Sequence, residues 1–583
     1  MDHKLQSNLS SFPILLLMCL GIFICLLDTT IMNIALPAIQ KDLNTTLETS
    51  SWMLNTYTMT IAVLSIPMGR LAEIYGKMKF FIIGLIIFAC GSAFCGLSES
   101  GEMLIFARFF QSLGAAILVP VATIIGVESL PLNKRHISLS LLGATQGLST
   151  ALGPSIGGLI AQNLGWNWVF FVNIPICIVA LVIAFKILPF KKDNRVQAKI
   201  DWAGLILSAI GIFSLNLVLI KGNTWGWTSF VSLFCFLIFV IALITFIIVE
   251  RKIKNPMVDL NLFKDRLYVG ATLAVSTAYL FLVGVMVLLP QFLTNFQEKT
   301  EIQAALLITP ISATIFIVVN FVGFLVKKIG YVIPIMSGYV IVAASYFQLG
   351  HLNTSSTVLE IIVIGVTLGV GFSFIISPAT MASVSSFEGE MLTSSQSVFT
   401  MLRQIGVVLA VAIFVSSITH EVDSKKQNVI SYAKEQTSDI HVSPEKRLEI
   451  LKSTKEKVGA DSSFGKVIEA PKVSASERQD LIDKNVKDSL SQYPAAEQEK
   501  VKRQITDQVT KQVDQDILKI NRELKSYTEN VTSYTSKEFS SVFSTVFSHA
   551  LPFIFISILI SILYRKSKKS KVIRNKEVAH LGE

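Results

Sequence analysis

A lone carboxylate inside an apolar stretch is the group in this sequence best placed to do chemistry. Asp28 lies in the run 27–37, and no charged residue occurs within ten positions on either side of it. An acid within a membrane span costs about 2.5–3.5 kcal/mol on insertion scales, so such acids usually face a cavity, a partner or an ion path. We therefore predict that Asp28 carries a proton or contacts a substrate. A structural buried ion pair is the alternative.

A second charge within an apolar stretch, Arg108, is predicted to lie at the depth of Asp28. The first span runs outward with Asp28 about 16 residues into it, and the fourth runs inward with Arg108 about five residues into it. At a rise of about 1.5 Å per residue, both side chains belong to the outer half of the bilayer. They are predicted to pair directly or through water. A neighbouring arginine favours the ionised acid whereas burial disfavours it, so a change of conformation can switch its protonation.

The elements that must hold these residues are membrane helices. Of the 583 residues, 51% are hydrophobic and 16% are charged, against about 25% charged in soluble proteins. Apolar runs of about 20 residues recur along the chain, and each is long enough to cross a bilayer. The sequence therefore predicts an all-α polytopic membrane protein. Its fourteen predicted spans are residues 12–36, 51–69, 80–97, 103–126, 138–161, 169–188, 203–220, 230–249, 269–290, 303–326, 332–350, 357–378, 395–416 and 547–564.

Lysine and arginine indicate the orientation. With the amino terminus inside, 25 of these residues fall in cytoplasmic segments, the largest groups lying at 186–199, 251–266 and 565–576. The short outer loops hold only Lys41, Lys221 and Lys299. The positive-inside rule then puts both termini in the cytoplasm. The net charge of +10 reflects this inner-leaflet bias and needs no nucleic-acid partner.

An internal repeat divides the chain into two related bundles. The segment 69–76 follows the second span and 323–330 follows the tenth, and both have the form Gly-x-Leu-small-charged-x-x-Gly. Two related bundles with a site between them are a common transporter plan. The predicted domains are an amino-terminal six-helix bundle (1–188), a linker with two extra spans (189–268), a carboxy-terminal bundle (269–416), an extracellular helical insertion (417–546), the last span (547–564) and a basic cytoplasmic tail (565–583).

The fifth span combines small residues with a proline. Its small residues, which let helices approach closely, include Gly147, Gly153, Gly157 and Gly158. Pro154 removes one backbone hydrogen bond and can kink the span. A stripe of small residues alone is also explained by generic packing, whereas the whole run 153–158 is more specific.

Two further charges have open roles. Glu73, after the second span, is either a charge latch at the inner gate or an ordinary interfacial carboxylate. Arg403 lies about eight residues into span 13, where it either lines a cavity or has a structural role.

The insertion at 417–546 differs in composition from the spans, with 21 basic and 21 acidic residues. Apolar residues recur at helical spacing from Ile505 to Tyr527. We predict a helical outer domain or hairpin that extends the last span outward. A role in binding a cell-wall or envelope partner and a role as a solvated spacer are both open.

Motifs for enzymatic and metal chemistry are lacking in the sequence. It has no phosphate-binding Gly-x-x-x-x-Gly-Lys-Ser/Thr loop and no His-Glu-x-x-His or Cys-x-x-Cys. Its seven histidines show no metal-ligand spacing, and all six cysteines lie in predicted spans. We predict a protein that is not an enzyme, has no metal and no cofactor, and draws on an ion gradient.

These motifs resemble those of the major facilitator superfamily and, within it, the fourteen-span drug:proton antiporter group. The resemblance covers residues 12–416 and 547–564. It rests on Asp28, Thr30, Asn33, Ala35 and Pro37 in the first span, Trp52, Tyr57 and Pro67 in the second, the loop 69–79, Arg108, Gln111 and Gly114 in the fourth, 147–158 in the fifth, and 403–406 in span 13. Departures include Glu73, where the loop motif usually has aspartate, and Lys327, where the second copy would have an acid.

The resemblance implies a fold and a set of residue roles. The fold is a bundle of two six-helix halves plus two extra helices. The implied roles are proton coupling for Asp28 and Arg108, gating for Gly69, Glu73, Gly76 and Lys77, close packing for Gly147, Gly153, Pro154, Gly157 and Gly158, and substrate contact for Asn33, Tyr57, Gln111, Arg403 and Gln404.

The function that the resemblance implies is proton-coupled efflux by alternating access. The substrates would be small amphipathic, often cationic drugs or toxic compounds, expelled across a bacterial plasma membrane. Two alternatives remain open. One is export of a native lipid, glycolipid, peptide or nucleotide to the cell surface, and the other is a sensor or scaffold that does not transport.

Overall fold

The computed structural model describes residues 2–45, 47–131, 135–188, 201–253, 256, 258–387, 389–438, 440–459 and 473–565. Within those ranges the regular structure is entirely helical. The α-helices are α1 (Asp2–Asp42), α2 (Leu47–Tyr75), α3 (Lys77–Gly96), α4 (Gly101–Glu128), α5 (Arg135–Asn163), α6 (Trp168–Phe171), α7 (Asn173–Ile187), α8 (Trp202–Trp225), α9 (Phe230–Glu250), α10 (Arg266–Phe296), α11 (Glu301–Ile329), α12 (Val332–Leu349), α13 (Val358–Ser385), α14 (Gly389–Ser438), α15 (Pro444–Gly459), α16 (Ala475–Leu490) and α17 (Ala495–Ser557). Two 3₁₀ helices cover Leu260–Lys264 and Ile558–Tyr564.

Twelve of the described helices are long and apolar enough to cross a membrane. The predicted second and fifth spans correspond to α2 and α5, which are each 29 residues long but are not among the twelve. Both lie between other helices, α2 against α4 and α14 and α5 against α1 and α11. A membrane helix enclosed by other helices can carry small and polar residues at its interfaces, whereas a face toward lipid must be apolar. The exact count of fourteen spans stays a prediction.

The two copies of the internal repeat both end at a glycine with positive φ. Gly76 separates α2 from α3 with φ of 112°, and Gly330 ends α11 with φ of 78°. Both angles lie in the left-handed region that glycine adopts without steric cost. The final glycine of each copy is therefore required by the turn that follows a helix.

Two apolar cores correspond to two helix bundles. One core draws mainly on α1–α5 and α7, and the other on α10–α14 and α17. Helix α5 joins them, because it packs along both α1 and α11. Its contacts with α11 are antiparallel: Gly143 faces Val319, Gly147 faces Ile315 and Gly158 faces Ile302.

The pair α8 and α9 lies outside both bundles. The two helices pack on each other, and α8 also contacts α2 and α14. Helix α9 exposes a continuous set of large apolar side chains, among them Phe230, Leu233, Phe234, Leu237 and Ile241. A continuous exposed apolar surface is typical of a helix that faces lipid or a partner protein.

The described residues of the segment 417–546 are mostly helical, and two of its helices continue into membrane helices. Helix α14 is 50 residues long and continues to Ser438, and α17 is 63 residues long and enters the predicted last span without a break. The two contact each other, and Tyr432 stacks on Tyr534 with 4.1 Å between ring centroids. Helix α15 packs on α14, and α16 packs on α17.

Candidate functional site

Close approach of α3 and α4 builds one wall of the site. Ser100 caps α4 by accepting a hydrogen bond of 3.2 Å from the backbone of Met103. Farther along α4, a Cβ atom added to Gly114 would lie 2.7 Å from the carbonyl oxygen of Gly84 on α3. Such contact between backbones requires glycine. Arg108 and Gln111, three residues apart, share one face of α4 and point toward α1, where Asp28 lies.

The Asp28 carboxylate is fully buried and has partners on both oxygens. Oδ2 forms an ion pair with Nη1 of Arg108, whose side chain is 1% exposed. Oδ1 accepts hydrogen bonds from Nε2 of Gln111 at 2.9 Å and from Nδ2 of Asn173 at 2.8 Å. The partners lie on two helices besides α1, with Arg108 and Gln111 on α4 and Asn173 on α7. The carboxylate is therefore held by a hydrogen-bond network that is larger than a single ion pair.

Arg108 has partners other than Asp28. Nη1 also donates to Oε1 of Gln111 at 2.8 Å, and Nε donates to the Met53 carbonyl at 3.4 Å. The guanidinium carbon lies 4.2 Å from the ring centroid of Tyr57, which is a cation–π contact. The Tyr57 hydroxyl in turn donates to the Cys25 carbonyl at 3.0 Å. The cation therefore keeps stabilising contacts when the carboxylate is neutralised.

Ser92 on α3 completes the network. Its Oγ accepts from Gln111 Nε2 at 3.0 Å and from Asn173 Nδ2 at 2.9 Å, and it donates to the Phe170 carbonyl at 3.0 Å. A hydroxyl has one donor and two acceptor sites, so this one is saturated. Ser92 and Asn173 were both missed by the sequence analysis. Asn173 gave a signal, as an amide inside an apolar span, whereas Ser92 gave none.

The loop residues that are predicted to act in gating begin where α2 meets α14. A Cβ atom at Gly69 would overlap the Ser397 hydroxyl and lie 3.8 Å from Cγ2 of Thr393, so the two helices are in close contact here. Glu73 is buried and its Oε2 pairs with Nη1 of Arg70 at 2.7 Å, within the same helix. Gly76 makes the turn into α3, and Lys77 Nζ pairs with Oε1 of Glu128 on α4 at 2.8 Å.

The glycines of the antiporter motif allow α5 to fit between α1 and α11. A Cβ atom at Gly153 would overlap the side chain of Thr30, and one at Gly157 would lie 3.1 Å from Cα of Ile31. On the other face, a Cβ atom at Gly147 would lie 2.9 Å from Cγ2 of Ile315. Gly158 is looser, with its nearest neighbour 3.7 Å away. The side chain of Pro154 lies outside the described residues.

A small central cavity of about 20 Å³ lies between α5 and the carboxy-terminal bundle. Its lining residues are Gly143, Gln146, Gly147, Tyr279, Leu282, Ile315, Val319, Phe372, Ile376, Ser377, Thr380 and Met381. Arg403 is buried next to it, donating from Nη1 to Oε1 of Gln146 at 3.1 Å.

The residues predicted to contact substrate are not all at this cavity. Tyr57 and Gln111 lie in the Asp28 network instead. Gln404 is buried in α14, and the side chain of Asn33 lies outside the described residues. Among the residues that the structure describes, no cluster of three or more potential metal ligands occurs.

Comparison with known proteins gives a family match over most of the chain. Residues 18–411 match the family model described as Major Facilitator Superfamily. The chain is 29% identical to multidrug resistance protein Stp of Mycobacterium tuberculosis (strain CDC 1551 / Oshkosh) over 68% of its own length and 73% of that protein. It is 29% identical to multidrug resistance protein 3 of Bacillus subtilis (strain 168) over 74% of its length and 84% of that protein. It is 34% identical to multidrug export protein EmrB of Escherichia coli (strain K12) over 53% of its length and 61% of that protein.

A solved structure shares the fold. The crystal structure of the human organic anion transporter MFSD10 aligns with a TM-score of 0.52 at 12% identity, covering 69% of this chain and 94% of that one. At this identity the likeness shows the fold alone.

Proposed function

We propose a function from one premise: the chain belongs to the Major Facilitator Superfamily. It is a multi-pass membrane transporter similar to bacterial multidrug exporters of the fourteen-span drug:proton antiporter group. The proposal is that it expels small amphipathic drugs from the cell by alternating access and exchanges them for protons. Its place would be the bacterial plasma membrane with both termini in the cytoplasm.

The observation that carries the proposal is the burial of Asp28 with three polar partners. A buried carboxylate is stable as an anion only while its partners remain in place. Arg108, Gln111 and Asn173 supply those partners here. Displacing any of them during a conformational change favours protonation, which gives the coupling between shape and proton uptake that an antiporter needs.

Protonation of Asp28 is proposed to weaken its ion pair with Arg108. The arginine then keeps Gln111, the Met53 carbonyl and the face of Tyr57 as partners. Both protonation states thus leave few polar groups unpaired, which keeps the energies of the two states close. In the reverse step, return of Arg108 and Asn173 to the carboxylate expels the proton on the cytoplasmic side.

Alternating access is proposed to separate α2 from α14 at the motif around Gly69. In this structure a Cβ atom at Gly69 would lie 3.3 Å from Cβ of Ser397, so the two halves touch at the predicted cytoplasmic end. The intrahelical Arg70–Glu73 pair and the Lys77–Glu128 pair stabilise the helix ends on one side of that contact. Opening there would admit substrate from the cytoplasm or inner leaflet.

A substrate screen in bacteria that lack other exporters tests the proposal. Cells producing the chain should tolerate higher concentrations of some amphipathic drugs, and more so at lower external pH. Asp28→Asn should remove that protection. Asp488→Asn, the same change at an exposed position of α16, should keep it. If cells with and without the chain tolerate the same drug concentrations, both at neutral and at lower external pH, drug export is rejected.

A further inference from the structure

The unexplained charge at the centre of the bundle is Arg403 on α14. Its side chain is 4% exposed, yet Nη2 has no hydrogen-bond partner among the described residues. Nη1 donates to Gln146 at 3.1 Å, and the guanidinium carbon lies 5.7 Å from the ring centroid of Tyr279. A buried donor without a partner is costly, and more so when it is charged. The position is therefore suited to an acceptor that the chain itself does not supply.

Arg403 adjoins the central cavity through both of these neighbours. Gln146 and Tyr279 line the cavity, and the Tyr279 hydroxyl donates to Gln146 Oε1 at 3.3 Å. Oε1 of Gln146 thus accepts from the arginine and from the tyrosine together. This fixes the amide and directs the guanidinium toward the junction of α5, α10 and α14.

The charge balance around the cavity is positive. No aspartate or glutamate occurs among the described residues that line it. The carboxylate of Asp28 is already held by Arg108 and two amides, so that pair is neutral as a unit. A cationic group entering the cavity would meet an uncompensated cation in a region of low dielectric.

The rest of the lining fits an apolar body. It consists largely of the side chains of Leu282, Ile315, Val319, Phe372, Ile376 and Met381. A volume of about 20 Å³ has room for little more than one water molecule. A drug-sized compound therefore enters only when α5 moves away from the carboxy-terminal bundle.

We propose that this exporter recognises amphipathic organic acids, with Arg403 binding their carboxylate or other acidic group at the central cavity. The inference rests on the transport function proposed above and names its substrate class. Guanidinium binds planar acids through two parallel hydrogen bonds, and the unpartnered Nη2 supplies one of them. This charge is opposite to the cationic compounds that the sequence resemblance led us to expect.

Binding to the full chain in zwitterionic lipid nanodiscs tests the proposal. The probes are a dansyl-labelled undecanoic acid, its methyl ester and the amine of the same chain length, titrated by fluorescence. The acid should bind roughly tenfold or more tightly than the ester, because a hydrogen bond to a charged group is gained, and the amine should bind most weakly. Equal binding of acid and ester by the unaltered protein, or tightest binding of the amine, would overturn the proposal.

Substitution of Arg403 tests whether this residue causes the preference for the acid over the ester. In Arg403→Gln the ratio of acid to ester affinity should fall to near one, and Arg403→Lys should keep part of it. Arg503→Gln removes one positive charge from an exposed position of α17 and should keep the full ratio. A tenfold preference retained in Arg403→Gln would contradict the assignment. If both Arg403 variants fail to fold, the relative affinities of the unaltered protein for the acid, the ester and the amine still test the proposal.

This binding assay is independent of proton coupling. A strong preference for the acid together with proton movement that does not depend on Asp28 would leave the substrate class standing and reject the coupling mechanism. No preference for the acid, together with proton movement that depends on Asp28, would reject the substrate class and leave the coupling mechanism standing.

Discussion

Asp28 on α1 and Arg108 on α4, 80 positions apart in the chain, form an ion pair whose side chains are 0% and 1% exposed. Removing one member of a buried pair typically costs about 3–5 kcal/mol, because the remaining charge is left without compensation. Here each member has further partners, Gln111 and Asn173 for the acid and Tyr57 for the base. Each charge of the pair is therefore held by contacts beyond the opposite charge.

Asn173 is predicted to set the pH at which efflux works. Asn173→Ala removes one of the two amide donors to Oδ1 of Asp28, so the ionised carboxylate loses one charge-assisted hydrogen bond. The external pH that gives half-maximal efflux should therefore rise. Drug efflux from loaded cells over a range of external pH measures this. Asn163→Ala, at the exposed end of α5, should not move the profile, and an unmoved profile in Asn173→Ala would show that this amide does not act on Asp28.

The antiporter-motif glycines differ in how much space surrounds them. Gly153→Ala would push a methyl group into Thr30, whereas Gly158→Ala meets its nearest neighbour at 3.7 Å. Overpacking of this kind costs about 1–3 kcal/mol. Thermal unfolding of the purified protein should therefore show a clear loss of stability for Gly153→Ala and little change for Gly158→Ala. Equal behaviour of the two variants would mean that α1 and α5 are not packed as described.

The contact between α2 and α14 is predicted to break in every transport cycle. With cysteines at positions 69 and 397, the two Cβ atoms would be about 3.3 Å apart, near the roughly 3.5–4.5 Å of natural disulfides. Oxidation of Gly69→Cys/Ser397→Cys should cross-link the halves and stop efflux, and a reductant should restore it. The two single-cysteine variants are the controls. Full efflux by the cross-linked protein would contradict opening at this end.

The ion pairs of the 417–546 segment predict that its helices lose some stability in acid. The hydrogen bond from Lys446 lowers the pKa of Glu477 from its ordinary 4.5, and that from Arg478 lowers the pKa of Asp514 from its ordinary 3.8. A carboxyl whose pKa is lowered on folding stabilises the fold above the unfolded value, and this contribution disappears as the pH falls through the folded value.

Hydrogen exchange of α15 and α16, corrected for intrinsic rates, measures that loss. Protection should be constant from neutral pH down to the ordinary carboxyl pKa and should then fall. Glu477→Gln should already exchange faster at neutral pH and should show a smaller further change. Exchange that does not change with pH in both proteins would rule out a structural role for these pairs.

The sequence predicts the membrane architecture and the central pair because both depend on local composition and helical rise. Asp28 and Arg108 stand out as charges in apolar runs, and their depths follow from counting residues along each span. Asn173 and Ser92 are different, since their roles depend on which helix faces arrive at the same point. That arrangement is set by close contacts such as Gly84 with Gly114, which no spacing rule in one span reveals.

Cavity residues were harder to predict for the same reason. Substrate contact by Tyr57 and Gln111 stays a prediction, and in the structure both side chains contact Arg108. The cavity is lined mainly by α5, α10, α11 and α13, with side chains such as Phe372 and Met381 that look like ordinary packing residues in the sequence. Arg403 was visible as a charge in a span, whereas its unpartnered nitrogen is visible only in three dimensions.

Proton movement in proteoliposomes tests the central claim most directly. Purified protein is reconstituted with a pH-sensitive dye inside the vesicles, and an exported compound is added on the side from which it is taken up. The unaltered chain should move protons against the direction of the compound. Asp28→Asn should bind the compound and remain folded, yet move no protons. Substrate-driven proton movement of unchanged size in Asp28→Asn would contradict the account.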